Sequence, residues 1–508
     1  MKIERIKLAN FRSYRDEVSV ELGDLNVFVG KNDIGKSTLL EALDIFFNEN
    51  KGVVKIDKDD INKRGAAAGD TEVRISVVFS ELPETLTIDA TNPTSLGEEY
   101  LLNREGFLEV VKKYPNAGKE KVFVKAYHPT NPDCAELLLK KHADLRAMLT
   151  DEMVCENRSK SAAIRKAIWE YHAADLQLSD TEIELAKLEA KNTWERVKNY
   201  LPLYTLFQSD RKNSDGDNEV QDPMKLAVQE ILKNADLRRV LDGVAESVEE
   251  KLREVSAKTL EKLREMNPEI ANSLSPVIPP VESLKWPDVF KNVSITGDDD
   301  IPINKRGSGV KRLVLLNFFR AEAERRRDEE NIPSIIYAVE EPETSQHPSH
   351  QRALIQAFID LAASDNTQIL LTTHSPSIVK LLDFEHIKLV KEGVDKEVVN
   401  IERSDLPYPS LNEVNYLAFG ESDDEYHNEL YGFIEGEGWL NEYKDGKPTM
   451  PYVRLRLNGN TVNEQKILSE YIRHQIHHPE NEQNRRFTNE ELQTSIGEMR
   501  AFIEIKRG

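Results

Sequence analysis

The run Leu25-Asn26-Val27-Phe28-Val29-Gly30-Lys31-Asn32-Asp33-Ile34-Gly35-Lys36-Ser37-Thr38-Leu39-Leu40-Glu41-Ala42-Leu43 decides the fold. Its opening pentad is short and mostly apolar, as a strand buried on both faces must be. Its last residues begin a helix. Between them, two glycines and a Lys-Ser-Thr step match the pattern G-x-x-x-x-G-K-[ST], in the strand–loop–helix order that a phosphate-binding turn requires. Glycine lets the backbone curl so that several N–H groups converge, and the helix N-terminus adds positive potential. A nucleotide is therefore expected against Gly30, Asn32, Gly35, Lys36, Ser37 and Thr38, with Lys36 bridging the β- and γ-phosphates and the Ser37 hydroxyl on Mg2+. The fold class this predicts is α/β.

Far along the chain a second apolar run, Ser334-Ile335-Ile336-Tyr337-Ala338-Val339, closes on Glu340-Glu341-Pro342-Glu343. Two acids at a strand end suit metal binding and general-base work. Position nominates Glu340 for Mg2+ and Glu341 for the attacking water. The first acid of such pairs is usually Asp; the longer Glu340 arm implies altered metal geometry and slow turnover. A third run, Thr367-Gln368-Ile369-Leu370-Leu371-Thr372-Thr373, ends in His374-Ser375-Pro376. A lone loop histidine is more often structural; beside the other two segments, His374 is expected to sense the γ-phosphate.

The chain has 508 residues, a formal net charge of −22, 39% hydrophobic and 31% charged residues, and two cysteines, Cys134 and Cys155. Two cysteines are too few for a disulfide framework or a zinc cluster. No apolar stretch reaches the roughly 20 residues of a membrane span, and the N-terminus lacks a signal-peptide core; a cytoplasmic location is expected. The acidic balance argues against a surface devoted to nucleic acid. Basic clusters at 112–125 and 158–166 read as solvated faces.

The two site-bearing segments are more than 200 residues apart, so four units are expected. They are a first ATPase lobe over 1–85, a mostly helical insertion over 86–295 with a helical hairpin, a second lobe over 296–405, and an α-rich partner-binding unit over 406–508. Within the insertion, 179–200 and 224–266 are expected to be helical, while Leu203-Tyr204-Thr205-Leu206-Phe207 reads as a strand. In the last unit, Asp423, Asp424 and Glu425 read as an acidic helix start. Arg473 and His478 fit a loose R-x4-6-H spacing, against which stands an ordinary helix end stopped by Pro479.

These motifs together resemble the ABC ATPases of the OLD and RecF kind. Asn304-Lys305-Arg306-Gly307-Ser308-Gly309 before a helix resembles the ABC signature, which implies that Ser308 and Gly309 meet the γ-phosphate of an opposite subunit. Leu8-Ala9-Asn10-Phe11-Arg12-Ser13-Tyr14 resembles the opening strand of that group and implies Arg12 at the nucleotide. No convincing Q-loop glutamine is found. The resemblance implies an ABC-ATPase head of mixed sheet and flanking helices, ATP and Mg2+ as cofactors, and a homodimer or higher oligomer. A TOPRIM nuclease is not expected in the tail, because Phe419 stands where its glutamate belongs. The segments 425–431 and 476–481 resemble PtuA-type ATPases of Septu antiphage systems, including retron-associated ones. That implies a PtuB-like HNH nuclease as partner, nucleic acid reached through the complex, and with some systems a retron reverse transcriptase and its RNA–DNA. Two other readings stay open: an ATPase carrying its own HEPN-like ribonuclease, and a RecF- or SMC-like DNA repair ATPase.

Overall fold

The computed structural model describes residues 1–49, 51–89, 92–185, 190–208, 230–234, 236–244, 246, 250, 334–344, 347–393, 395–456 and 459–507. Its strands are β1 (Lys2–Ala9), β2 (Val18–Glu21), β3 (Leu25–Val29), β4 (Glu72–Ser80), β5 (Leu86–Asp89), β6 (Asn92–Thr94), β7 (Leu108–Pro115) and β8 (Lys121–Pro129). There follow β9 (Leu178–Glu184), β10 (Leu203–Phe207), β11 (Ile335–Glu340), β12 (Thr367–Thr373), β13 (Ile387–Lys391), β14 (Glu397–Asn400), β15 (Thr449–Leu455) and β16 (Thr461–Ile467).

Two six-stranded sheets pack on either side of α1 (Lys36–Asn48). One sheet, β2-β1-β4-β7-β8-β9, is antiparallel throughout. The other runs β10-β11-β12-β3-β13-β14 and is parallel except for β14. This is the α/β head, with one mixed sheet, that the motifs imply. Every residue of β3 is buried because both its faces are covered, the usual state of a parallel strand. Phe28 joins the core shared with α1, while Leu25, Val27 and Val29 join the core on the far side. Leu39, Leu40, Leu43, Ile45 and Phe46 of α1 are almost wholly buried, and each such side chain contributes roughly 1.5–3 kcal/mol. Gln368, at the start of β12, stitches the sheets together. Its Nε2 donates to Ile3 O at 2.9 Å and Gly23 O at 3.0 Å, and its Oε1 accepts from Ile3 N at 2.7 Å.

The expected helical insertion needs correction. β7, β8 and β9 extend the first lobe's own sheet, so a boundary at 85 cuts through one sheet. The region misleads because its period of two is written in lysines. Lys112 is buried, pairs with Glu120 at 2.9 Å and lies over the Phe46 and Trp194 rings. Lys113 pairs with Glu182 at 2.5 Å. In the second basic cluster Arg165 is buried against Glu99, at 2.7 and 2.8 Å. Lys112 and Arg165 are thus spent on internal pairs, while Lys119, Lys121, Lys125, Arg158 and Lys166 are exposed, as on a solvated face. The stretch expected as one helix over 179–200 is instead β9, an edge strand, followed by the helix Ala190–Val197. Polar residues are tolerated on such an edge, where one side faces water. Most of the expected 224–266 helix, and with it the hairpin, lies outside the described residues; 236–244 is helical.

The last unit holds the helices Leu411–Phe419, Asp424–Gly436, Leu468–His477 and Asn489–Arg507. It also contains the β15–β16 hairpin, which a purely helical reading omits. Asp423 caps its helix by accepting from Tyr426 N at 2.7 Å, as an acidic helix start should.

Candidate nucleotide site

The phosphate loop is shaped before any ligand is considered. Gly30 has φ 152° and Gly35 φ 104°. A Cβ on Gly35 would lie 2.8 Å from Ser13 Oγ and 3.3 Å from the Tyr14 ring, and the positive φ would strain any side chain there. The Tyr14 hydroxyl also donates to Gly35 O at 3.1 Å. Lys36 is 4% exposed, and its ammonium donates to the carbonyls of Gly30 and Lys31, each at 2.7 Å. Burial lowers its pKa from the ordinary lysine value, while the charges of Glu341, Glu343 and Asp33 oppose that shift. Lys36 thus lies in the electrostatic reach of carboxylates 305 or more residues away. Ser37 and Thr38 occupy the first turn of α1, and Asn32 is exposed at the loop's lip.

The other half of the site follows from strand order. β12 lies between β3 and β11, so the phosphate loop and the acidic turn flank the end of β12. Glu340 pairs in register with Thr372, and Thr373 with Val29. Glu341 N donates to Thr372 O at 3.0 Å and to Thr372 Oγ1 at 3.2 Å. Its φ of 42° is left-handed, a conformation that costs a non-glycine residue about 1–2 kcal/mol and clusters at functional sites. Glu341 Oε1 is 3.0 Å from His374 Nδ1. The pair is close but not aligned, and Nδ1 has no hydrogen-bond partner among the described residues.

Glu340 is mostly buried, and burial raises its carboxyl to about 8; Glu41 and Glu341 add to the rise, and the Gln208 hydrogen bond and Arg12 oppose it. Its Oε1 and the Oε1 of Gln208 are buried without hydrogen-bond partners among the described residues. Two such uncommitted oxygens are hard donors of the kind that suit Mg2+. Three or more His, Cys, Asp or Glu side chains grouped to hold a metal are not found among the described residues.

Gln208 is the residue that the sequence reading missed. It follows β10, the strand next to β11, and donates to Glu41 Oε1 at 3.2 Å. Only its place beside the acidic strand marks it, since its sequence context carries no motif. Glu41 also pairs with Arg12, whose Nε donates to Asp60 Oδ1 at 2.7 Å. Arg12 itself has φ 47°, held by its N–H to Asp60 O and by Asn62 Nδ2 on its carbonyl. The structure therefore brings Arg12, Lys36, Glu340, Glu341 and His374 to one side of the parallel sheet. Ser308 and Gly309 lie outside the described residues.

Arg473 and His478 do not form one site. Arg473 lies over the Tyr431 ring and pairs with Glu435 at 3.1 Å. His478 stacks on His474 and pairs with Glu480 at 3.2 Å. His478 is the C-cap beyond the helix that carries Arg473, and each side chain has its own partners.

A phosphate loop, carboxylates two strands away and a histidine on the strand between define a P-loop nucleoside-triphosphate hydrolase. Residues 1–379 match the AAA ATPase domain family, and the chain belongs to it. It is a nucleotide-binding ATPase. The chain is 22% identical over 402 residues to the endonuclease GajA of Bacillus cereus, covering 78% of this chain and 59% of that one. It is 23% identical over 436 residues to the OLD nuclease of Thermus scotoductus, covering 84% and 69%. The chain thus spans about three-fifths of GajA's length. Solved structures similar to it include an SMC head bound to the C-terminal winged-helix domain of ScpA, with TM-score 0.35 and 15% identity over 80% of this chain and 99% of that one. The SMC head domain of Thermotoga maritima gives TM-score 0.31 and 12% identity over 79% and 100%. Among the described residues no helix is long and apolar enough to cross a membrane.

Proposed function

We propose that this chain is the ATP-switched regulatory subunit of an antiphage defence complex, in which Mg-ATP closes a homodimer and so controls a separate HNH nuclease of the PtuB kind. Lys36 holds the β- and γ-phosphates, Ser37 and Glu340 hold Mg2+ with Gln208 beside them, and Glu341 orients the water. His374 senses the γ-phosphate, and Arg12 approaches the nucleotide from the neighbouring loop. Two relatives, an endonuclease and a nuclease, support the nuclease setting. The PtuA-like tail supports the finer assignment.

The observation that carries the regulatory reading is the path leading out of His374. The helix Pro376–Val379 follows it directly. Asn415 Nδ2 donates to Pro376 O at 3.2 Å, and Lys380 pairs with Glu425 at 2.7 Å and Asp423 at 3.4 Å. Ile378, Val379 and Leu382 share a core with Val414 and Ala418 of the Leu411–Phe419 helix. A group that reads the γ-phosphate is thereby joined to the unit proposed to hold the partner.

The test is Glu341→Gln in the full chain, with Lys36→Ala as the non-binding control. Glu341→Gln should bind ATP normally, hydrolyse it about 100-fold or more slowly, and accumulate as a dimer in light scattering. Added to the HNH protein of a neighbouring reading frame, it should hold cleavage of nucleic acid in one nucleotide-defined state. Hydrolysis at the normal rate by Glu341→Gln removes the base assignment. Cleavage by this chain alone, indifferent to nucleotide, removes the regulatory reading.

A further inference from the structure

Glu343 is 5% exposed and carries a carboxylate that the assigned hydrolytic roles leave unused. Burying a carboxylate costs several kcal/mol unless it is well paired, and no cation pairs with it among the described residues except the facultative charge of His374. Its bonds are specific. Oε1 accepts from Thr373 Oγ1 at 2.6 Å and from His374 N at 3.3 Å, and lies 3.8 Å from His374 Nδ1. Oε2 is buried with no hydrogen-bond partner among the described residues. Its own carbonyl accepts from Gln351 Nε2 at 3.2 Å, which ties the turn to the helix Pro348–Ala362. On the far side, Thr373 Oγ1 also accepts from Ser375 N at 3.0 Å. One oxygen of Glu343 therefore joins the end of β12 to the turn that leaves β11.

We propose that Glu343 is the positioning residue of the hydrolysis site, holding the His374 backbone and Thr373 so that the His374 ring and the Glu341 carboxylate keep their relative place. The inference rests on Glu341 and His374 being the hydrolytic pair. Two carboxylate oxygens, from Glu341 at 3.0 Å and Glu343 at 3.8 Å, face the same ring nitrogen, Nδ1. Acceptors on that side of the ring favour the tautomer with its proton on Nδ1. Without the Glu343 link, the β12 end and the acidic turn are left with the Glu341 N bonds to Thr372, which do not hold Thr373 or the His374 backbone. Small displacements of that kind have a large effect on rate and a small one on binding.

Four variants test this in the full chain: Glu343→Ala, Glu343→Gln, Thr373→Val and Thr373→Ser. ATP affinity is read by calorimetry and turnover by steady-state hydrolysis. Glu343→Ala should lower kcat about 10- to 100-fold while ATP affinity changes by less than about threefold. Glu343→Gln should recover most of the rate, because its amide oxygen can accept the same two bonds. Thr373→Val should fall between them and Thr373→Ser should restore the rate; these two carry the test if Glu343→Ala does not fold. A normal rate in Glu343→Ala overturns the proposal. So does an equal loss of ATP affinity and rate, or a Glu343→Gln no better than Glu343→Ala. Glu341→Gln run alongside separates the failures. If it is inactive while Glu343→Ala is normal, only the role of Glu343 falls. If Glu341→Gln is itself fully active, the hydrolytic pair falls with it.

Discussion

The nucleotide site and the C-terminal unit hold their buried charges differently. At the site, polar atoms are left under-satisfied: Glu340 Oε1, Glu343 Oε2, Gln208 Oε1 and His374 Nδ1 have no hydrogen-bond partner among the described residues. The key cation, Lys36, rests on carbonyls that phosphates would replace. In the C-terminal unit, buried atoms such as His427 Nδ1 and Asn412 Oδ1 also have no hydrogen-bond partner among the described residues, but the buried charge of Glu413 is fully paired. Glu413, 0% exposed, takes a bidentate pair from Arg500 and a hydrogen bond from the Tyr426 hydroxyl, and Arg500 lies over the Tyr416 ring. His427 Nε2 meets Ser495 Oγ at 2.9 Å, Ser495 donates to Ser469 Oγ at 2.7 Å, and the Tyr443 hydroxyl completes the chain at 2.8 Å. A cation resting on replaceable carbonyls suits a place that binds and releases, and a buried, fully paired carboxylate suits a rigid reader of that event.

The sharpest way to break this contrast is Arg500→Ala. It leaves the Glu413 carboxylate buried and uncompensated, at a cost of about 3 kcal/mol or more. Burial already raises the Glu413 pKa, and Arg500 is the main opposing influence. Denaturant unfolding should show the loss, while ATP affinity and kcat stay within about twofold. A double replacement, Glu413→Leu with Arg500→Met, should recover much of the stability. An equal fall in turnover would mean that the two regions are not separable.

Acidity gives a smaller effect. Burial, aided by the charge of Arg473, lowers His427 from 6.5 to about 4. The unfolded chain therefore binds the extra proton first as the pH falls. The stability from keeping His427 neutral is complete above pH 6.5 and is lost progressively down to pH 4. At pH 5 the loss is about 2 kcal/mol. His427→Gln should flatten the pH dependence of unfolding over that window. An unchanged slope in that variant would remove His427 as its source.

This contrast also explains what could be read from the chain. The phosphate loop was legible because its requirements are local: β3, Gly30, Gly35 and Lys36 lie within twelve residues. β11 and β12 were legible because parallel strands buried on both faces are written as apolar runs. Gln208 was not, because its meaning comes from the β10–β11 pairing alone. The β7–β8–β9 strands were hidden by lysines and acids whose partners, such as Glu120 for Lys112 and Glu182 for Lys113, make sense only in the folded sheet. In the last unit the decisive pairs, Glu413 with Arg500 and His427 with Ser495, join residues 87 and 68 positions apart. No spacing rule reaches that far, so an R-x4-6-H match there could not be weighed from sequence alone.

The smallest effect tests the join between the two regions. Lys380 is 30% exposed at its side chain, and its partner Glu425 is 68% exposed. A pair so open to solvent contributes about 0.2–1 kcal/mol, so Lys380→Ala should barely shift unfolding. ATP binding should also be unchanged, since Lys380 lies beyond His374 and its ammonium is turned to Asp423 and Glu425. The readout that should move is hydrogen exchange in the helix Asp424–Gly436. In the wild type, saturating ATP should change its protection, because the brace from Pro376 to Lys380 carries the state of His374 outward. In Lys380→Ala the nucleotide-dependent part of that change should shrink while the basal protection stays. If the helix responds to ATP equally in both proteins, the junction is carried by the apolar contacts of Ile378, Val379 and Leu382 with Val414 and Ala418, and the ion pair is no part of it.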